Sequence, residues 1–141
     1  VVTAQLHVCL DCRGPRPKRP ITGEPLLAQL RAEVRARFAP EAVVADGYPC
    51  LGLCARGGRV SLSGPGRWSY LFERIASPGD IADLLTFVDA WRATADGVVP
   101  KESRPKALRV KSLARVPPLG RNAAIASAPQ IPTHIQHGEP R

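Results

Sequence analysis

Four cysteines stand in two close pairs, Cys9-x2-Cys12 and Cys50-x3-Cys54, with thirty-seven residues between the pairs. Two thiolates that close together can hold one metal ion without stretching the chain, and four of them meeting at one place complete a tetrahedral site. A [2Fe–2S] unit takes two cysteines on each iron, and four-cysteine ligation is its usual arrangement. The pattern points to such a cluster on Cys9, Cys12, Cys50 and Cys54. Zinc on the same four thiolates is the main alternative, because zinc accepts the same ligands. Zinc ribbons usually leave a shorter gap, ~15–20 residues, between two Cys-x2-Cys knuckles. A dithiol oxidoreductase is the third reading. It would place its Cys-x2-Cys at a helix N-terminus, which activates the nucleophile. Here Cys12 runs into a proline-rich stretch, and the first helix starts about ten residues later.

Other chemistry-bearing residues are read more plainly. His7 stands two residues before Cys9, so the two share a side of a strand. A histidine can replace cysteine on iron, but with four cysteines present His7 is read as a neighbour of the site or a buried structural histidine. His134 and His137 have metal-compatible spacing within a polar tail and are read as solvated. Arg13 and Arg56 follow ligands closely, where they could offset cluster charge, dock an acidic partner or simply be loop arginines. Asp11 and Asp46 find no support as a catalytic pair. No nucleophile triad, phosphate loop or dinucleotide fingerprint occurs, so the expectation is an electron carrier or accessory protein more than an enzyme, with no catalytic residues.

The elements that must position the cysteines follow from periodicity. Gln5-Leu6-His7-Val8 alternates and predicts a strand entering Cys9. Gly14 to Pro20 carries three prolines and predicts a loop. Leu26, Leu27, Leu30, Val34 and Phe38 make one face of a helix, with Thr22 as its expected N-cap and Pro25 in its first turn. Ala42-Val43-Val44-Ala45 predicts a buried strand ending at Asp46-Gly47. Arg59 to Leu62 and Trp68 to Phe72 flank Ser63-Gly64-Pro65-Gly66 as a hairpin. Ser77-Pro78-Gly79-Asp80 opens a second helix with buried Ile81, Leu84, Leu85, Val88 and Trp91, and Asp96-Gly97 ends it. Trp68, Tyr70 and Trp91 are read as core and sheet residues. The order β-α-β-β-β-α is that of a thioredoxin-like mixed α/β sheet. Its first two strands should run parallel, so that both cysteine loops leave the same end of the sheet.

The expected organisation is a metal-binding domain over residues 1–97, a basic extension over 98–118 packing on or next to it, and a disordered tail over 119–141. A short basic helix is expected from Ser103 to Arg115. Charge is uneven: residues 1–97 hold twelve Lys/Arg against ten Asp/Glu, and 98–121 hold seven against one. The segment Lys101, Arg104, Lys106, Arg109, Lys111, Arg115 lacks interleaved aromatics, which argues for docking an acidic redox partner over nucleic-acid binding. A homodimer is a further expectation. No apolar run reaches the ~20 residues that span a bilayer, and residues 1–8 lack a basic start, so neither membrane nor secretory signal is expected. Cysteines in two chelating pairs suit a soluble cytoplasmic protein with reduced thiols.

Several longer motifs add a family likeness. His7-Val8-Cys9-Leu10-Asp11-Cys12-Arg13, Cys50-Leu51-Gly52-Leu53-Cys54 and Pro65-Gly66-Arg67-Trp68-Ser69-Tyr70-Leu71-Phe72 occur in order, followed by Asp96-Gly97-Val98-Val99-Pro100, Arg104-Pro105 and Leu113 to Pro118. In this the chain resembles a bacterial family of predicted metal-binding proteins of unknown function, grouped with thioredoxin-like [2Fe–2S] ferredoxins. The likeness runs from about Leu6 to Pro118. It implies that Cys9, Cys12, Cys50 and Cys54 are the ligands, that the role is electron transfer, and that the genetic context is cobalamin biosynthesis. The close Cys9-x2-Cys12 spacing departs from those ferredoxins, whose first two cysteines are commonly further apart.

Overall fold

Period-two alternation builds the sheet. Ala4, Leu6 and Val8 lie on one face of β1 (Ala4–Cys9) and are fully buried, while Gln5 and His7 on the other face are half-buried. The computed structural model describes residues 3–11, 22–52 and 57–120. Within them β1 is followed by α1 (Glu24–Arg37), β2 (Val43–Tyr48), β3 (Val60–Ser63), β4 (Ser69–Phe72), α2 (Pro78–Ala93), α3 (Lys106–Arg109) and β5 (Ser112–Val116). A 3-10 turn at Lys101–Ser103 precedes α3. The strands form one mixed sheet in the order β2-β1-β3-β4-β5. β1 and β2, joined through α1, are parallel, and the other neighbours are antiparallel. The mixed α/β class expected from the sequence is therefore observed.

The core gathers one sheet face and both long helices. Val43, Ala45, Val60, Leu62, Tyr70 and Phe72 continue the buried face begun by β1. Leu26, Leu27, Leu30 and Val34 of α1 close over it, with Ile81, Leu84, Leu85, Phe87, Val88 and Trp91 of α2. Phe38, expected on the α1 face, is only partly buried and caps the helix end. Phe87 meets Tyr70 and Phe72 edge-on, with ring centroids 4.9 and 5.0 Å apart. Arg67 of the β3–β4 turn is also buried. Its Nη1 donates to the carbonyls of Trp91 and Thr94 at 2.7 and 2.6 Å, satisfying the C-terminal end of α2.

Three local expectations are corrected. The N-cap of α1 is Gly23, not Thr22, and no side chain caps it. β2 does not stop at Asp46-Gly47 but runs to Tyr48. Gly47 is used for space: a Cβ there would lie 2.7 Å from Leu10 Cδ1, so the strand needs a residue without a side chain where Leu10 packs. The helix expected from Ser103 to Arg115 is confined to four residues, Lys106–Arg109, capped by Pro105. Beyond it the chain becomes β5 and pairs with β4, because strand pairing satisfies the backbone groups that the β4 edge would otherwise expose. Among the described residues no helix is long and apolar enough to cross a membrane. The proline-rich loop over 14–20 and nearly all of the expected tail lie outside the described residues.

The basic segment is tied into the domain. Leu108 is buried, whereas Val110 is 70% exposed. Lys111 Nζ lies 2.5 Å from Asp80 Oδ1 at the start of α2. Ser77 caps that helix as expected, accepting the Asp80 N–H, while the Asp80 carboxylate accepts the Ala76 N–H at 2.9 Å. Leu108→Ala should destabilise the domain by about 2–5 kcal/mol, read from urea unfolding. Burial raises the Asp80 carboxyl pKa, but bonds from Lys111, the Ala76 N–H and Ser77, with the Lys111 charge, bring it below the ordinary 3.8. Because the folded pKa is the lower one, this contribution is present above the unfolded value and is lost as pH falls through the folded one. Asp80→Asn should therefore lower stability at neutral pH and flatten its decline below about pH 4, as measured by thermal melts across an acid series.

Candidate metal centre

Cys9 ends β1, and its side chain is fully buried. The β1–β2 register places it opposite Tyr48. The two segments stay together past their strands: the Leu10 N–H donates to the Tyr48 carbonyl at 2.8 Å and the Asp11 N–H to that of Pro49 at 3.2 Å. Cys50 follows at once and is exposed. The Leu51 N–H donates to Cys9 Sγ at 3.4 Å, so the residue next to Cys50 touches the first cysteine's sulfur. The Gly52 N–H donates to Cys50 Sγ at 3.3 Å. Backbone N–H groups directed at cysteine sulfurs offset negative charge on a metal-bound thiolate and tune a cluster's potential. The donor chemistry of this corner thus fits a thiolate-held metal.

Cys9 and the Cys50 loop are brought together as expected. Cys12 and Cys54, with Arg13, Arg56, His134 and His137, lie outside the described residues. Among the described residues no group of three or more His, Cys, Asp or Glu could hold a metal. His7 is half-buried, its ring edge-on to Tyr48 with centroids 6.1 Å apart. Asp46 is engaged by Gln5 at 3.1 Å and Arg31 at 3.2 Å, and Asp11 is exposed. A cavity of about 410 Å³ between α1 and β2, lined by Val34, Phe38, Val43 and Asp46 among others, involves neither described cysteine.

Two features of the corner were not foreseen from the sequence. The first is the return of α1 to the cysteine loop. Gly23 has φ +63, and a Cβ there would lie 2.8 Å from the Leu10 carbonyl oxygen. Only glycine meets both demands, so the sequence trades a capping side chain for close approach to the chain leaving Cys9. The second is Arg59, assigned to a strand by alternation but in fact fully buried. Its carbonyl accepts the Cys9 N–H at 3.0 Å, and its Nε donates to the Gly52 carbonyl at 3.2 Å. Nothing in a single alternating run distinguishes an arginine that points to solvent from one that turns inward.

A mixed α/β domain with two cysteine-bearing loops at one end of a parallel strand pair is the class that this geometry defines. The family described as "Protein of unknown function (DUF1636)" matches residues 6–118, and the chain belongs to that family. The comparisons with curated proteins and with solved structures return no match. Gly23→Ala tests the seat of α1. It should destabilise the domain by about 1–3 kcal/mol in urea unfolding, because alanine at this φ is strained and would press on Leu10.

Proposed function

We propose that this chain is a thioredoxin-like [2Fe–2S] protein of ferredoxin type, with Cys9, Cys12, Cys50 and Cys54 as the ligands. The carrying observation is the meeting of the two cysteine loops: the Leu51 N–H on Cys9 Sγ, beside an exposed Cys50 whose own sulfur accepts the Gly52 N–H. Parallel neighbouring strands joined through a helix, followed by an antiparallel pair and a second long helix, support the thioredoxin-like assignment. A bound cluster would supply a one-electron couple, accepting an electron from a reduced partner protein and passing it to an oxidised one. The chain's own residues bind it and shape its surroundings. Buried Cys9 screens one side from water, and the exposed Cys50 side offers the short path to a docked partner. An acidic redox protein is the expected partner, a homodimer the expected assembly and the cytoplasm the expected compartment. The family resemblance adds cobalamin biosynthesis as the setting.

The test is an absorption spectrum of protein purified without oxygen, with iron, sulfide and zinc analysis. Visible sulfur-to-iron bands with two irons and two sulfides per chain are expected. A colourless protein with one zinc would replace the cluster with a four-thiolate zinc site, and the absence of both metals would overturn a metal centre altogether. Replacing any one of Cys9, Cys12, Cys50 and Cys54 by Ala should abolish or grossly weaken metal retention. A variant with full metal content and an unchanged spectrum would remove that cysteine from the ligand set.

A further inference from the structure

We propose that Arg59 is a positioning residue of the metal centre, and that its buried pair with Glu73 sets the charge that the thiolates meet. The inference rests on the reading of Cys9 and Cys50 as ligands. Arg59 binds both to Cys9 and to the Cys50 loop: its main chain holds Cys9 through a 3.0 Å bond, and its Nε holds Gly52, two residues after Cys50, at 3.2 Å. Its side chain has no exposure, and its Nη1 lies 3.5 Å from Glu73 Oε2 on a side chain only 5% exposed. Arg74 Nε approaches the other Glu73 oxygen at 3.4 Å. The surrounding structure holds this arrangement in place. The Glu73 N–H donates to the Lys111 carbonyl at 2.8 Å, and the Arg74 and Ile75 N–H groups donate to Gly57 and Gly58, where the chain returns from the second cysteine loop.

A buried ion pair is a poor source of stability, since apolar residues of similar volume often serve as well or better. Arg59 precedes Val60 in a strand whose inward residues are otherwise apolar, so packing alone would be met by a leucine or methionine. Its guanidinium stands where charge matters to the site. Thiolates gathered on a metal leave a net negative centre, and a fixed cation in a low-dielectric interior stabilises it. Its Nε also holds the Gly52 carbonyl, and with it the loop whose N–H groups serve both sulfurs. Glu73 limits the cation's effect. Arg59 and Glu73 therefore act on the centre in opposite senses while depending on each other for burial.

That opposition separates an electrostatic role from a merely structural one. Full-length, reduced, metal-free protein would be titrated with Co²⁺ alone, followed by sulfur-to-cobalt absorption, alongside thermal melting. Arg59→Gln and Glu73→Gln both break the pair, and both should lower the melting temperature. Their effects on Co²⁺ affinity should differ in sign: roughly tenfold weaker for Arg59→Gln, the order expected of one unit charge acting through the protein, and several-fold tighter for Glu73→Gln. Arg59→Lys, which keeps the charge, should recover part of the loss. If Arg59→Gln does not fold, Glu73→Gln still decides, since weaker or unchanged affinity there overturns the proposal. Variants that weaken binding alike would show a structural role only. Wild-type protein that takes up no Co²⁺ would instead overturn the metal centre itself.

Discussion

The parallel register of β1 and β2 is the constraint on which the corner depends. Two cysteine pairs separated by a helix and a strand meet only if the strands that deliver them end side by side. The register sets Cys9 against Tyr48, two residues before Cys50. A slip of one residue would turn Cys9 to the opposite face of the sheet and bury a different set of side chains. Several contacts guard against that slip. The ladder continues through Leu10 and Asp11 to Tyr48 and Pro49, and the Leu10 side chain fills the space over Gly47. On the core side, Ala4, Leu6 and Val8 meet Val43 and Ala45 within one cluster. The packing that holds the fold together also brings Cys9 to the loop that carries Cys50.

Much of this was legible in the sequence because it is local. The 3.6-residue spacing of Leu26, Leu30 and Val34, and of Ile81, Leu84, Leu85 and Val88, marks both long helices. The Ser77-Pro78-Gly79-Asp80 start of α2 states its own capping geometry, since donor and acceptor lie within three residues. The approach of Cys9 to the Cys50 loop was legible from spacing combined with the strand–helix–strand order. What escaped depends on partners distant in sequence. Asp46-Gly47 has the composition of a turn, yet Leu10, thirty-seven positions earlier, needs the missing side chain. Gly23 replaces Thr22 as the cap for the same kind of reason. β5 is a strand because the edge of β4 is available, which the basic sequence Lys106 to Arg115 does not announce.

Motif residues that invite a chemical reading can be architectural. Arg67 and Trp68, inside one of the runs that carry the family likeness, illustrate this. Arg67 binds the last carbonyls of α2 and its guanidinium lies 5.2 Å from the Trp91 ring centre, while the Trp68 carbonyl accepts the Trp91 indole N–H at 2.8 Å. The Trp68 N–H in turn donates to the Asp96 carbonyl, linking this run to Asp96-Gly97-Val98-Val99. Two motifs far apart in the chain are therefore one structural joint between the hairpin and the end of α2. The cysteine motifs differ in kind, because beside their backbone ladder two N–H groups, of Leu51 and Gly52, end on cysteine sulfur.

The same distinction bears on charge. Counted along the chain, residues 98–121 look like a basic docking arm, with seven cations against one acid. In the fold, several of those cations have partners within the domain. Arg104 donates to the Val99 carbonyl at 2.9 Å and lies 5.8 Å from the centre of the Tyr70 ring, Arg115 lies 5.1 Å from that of Trp68, and Lys111 pairs with Asp80. Cation–π contacts of this kind use the aromatic residues that the linear segment lacks. Lys101, Lys106 and Arg115 remain exposed, so the field offered to a partner is more localised than the count implies. Excess charge read from sequence measures how many cations a segment carries. Only the fold shows how many of them are left to act at the surface.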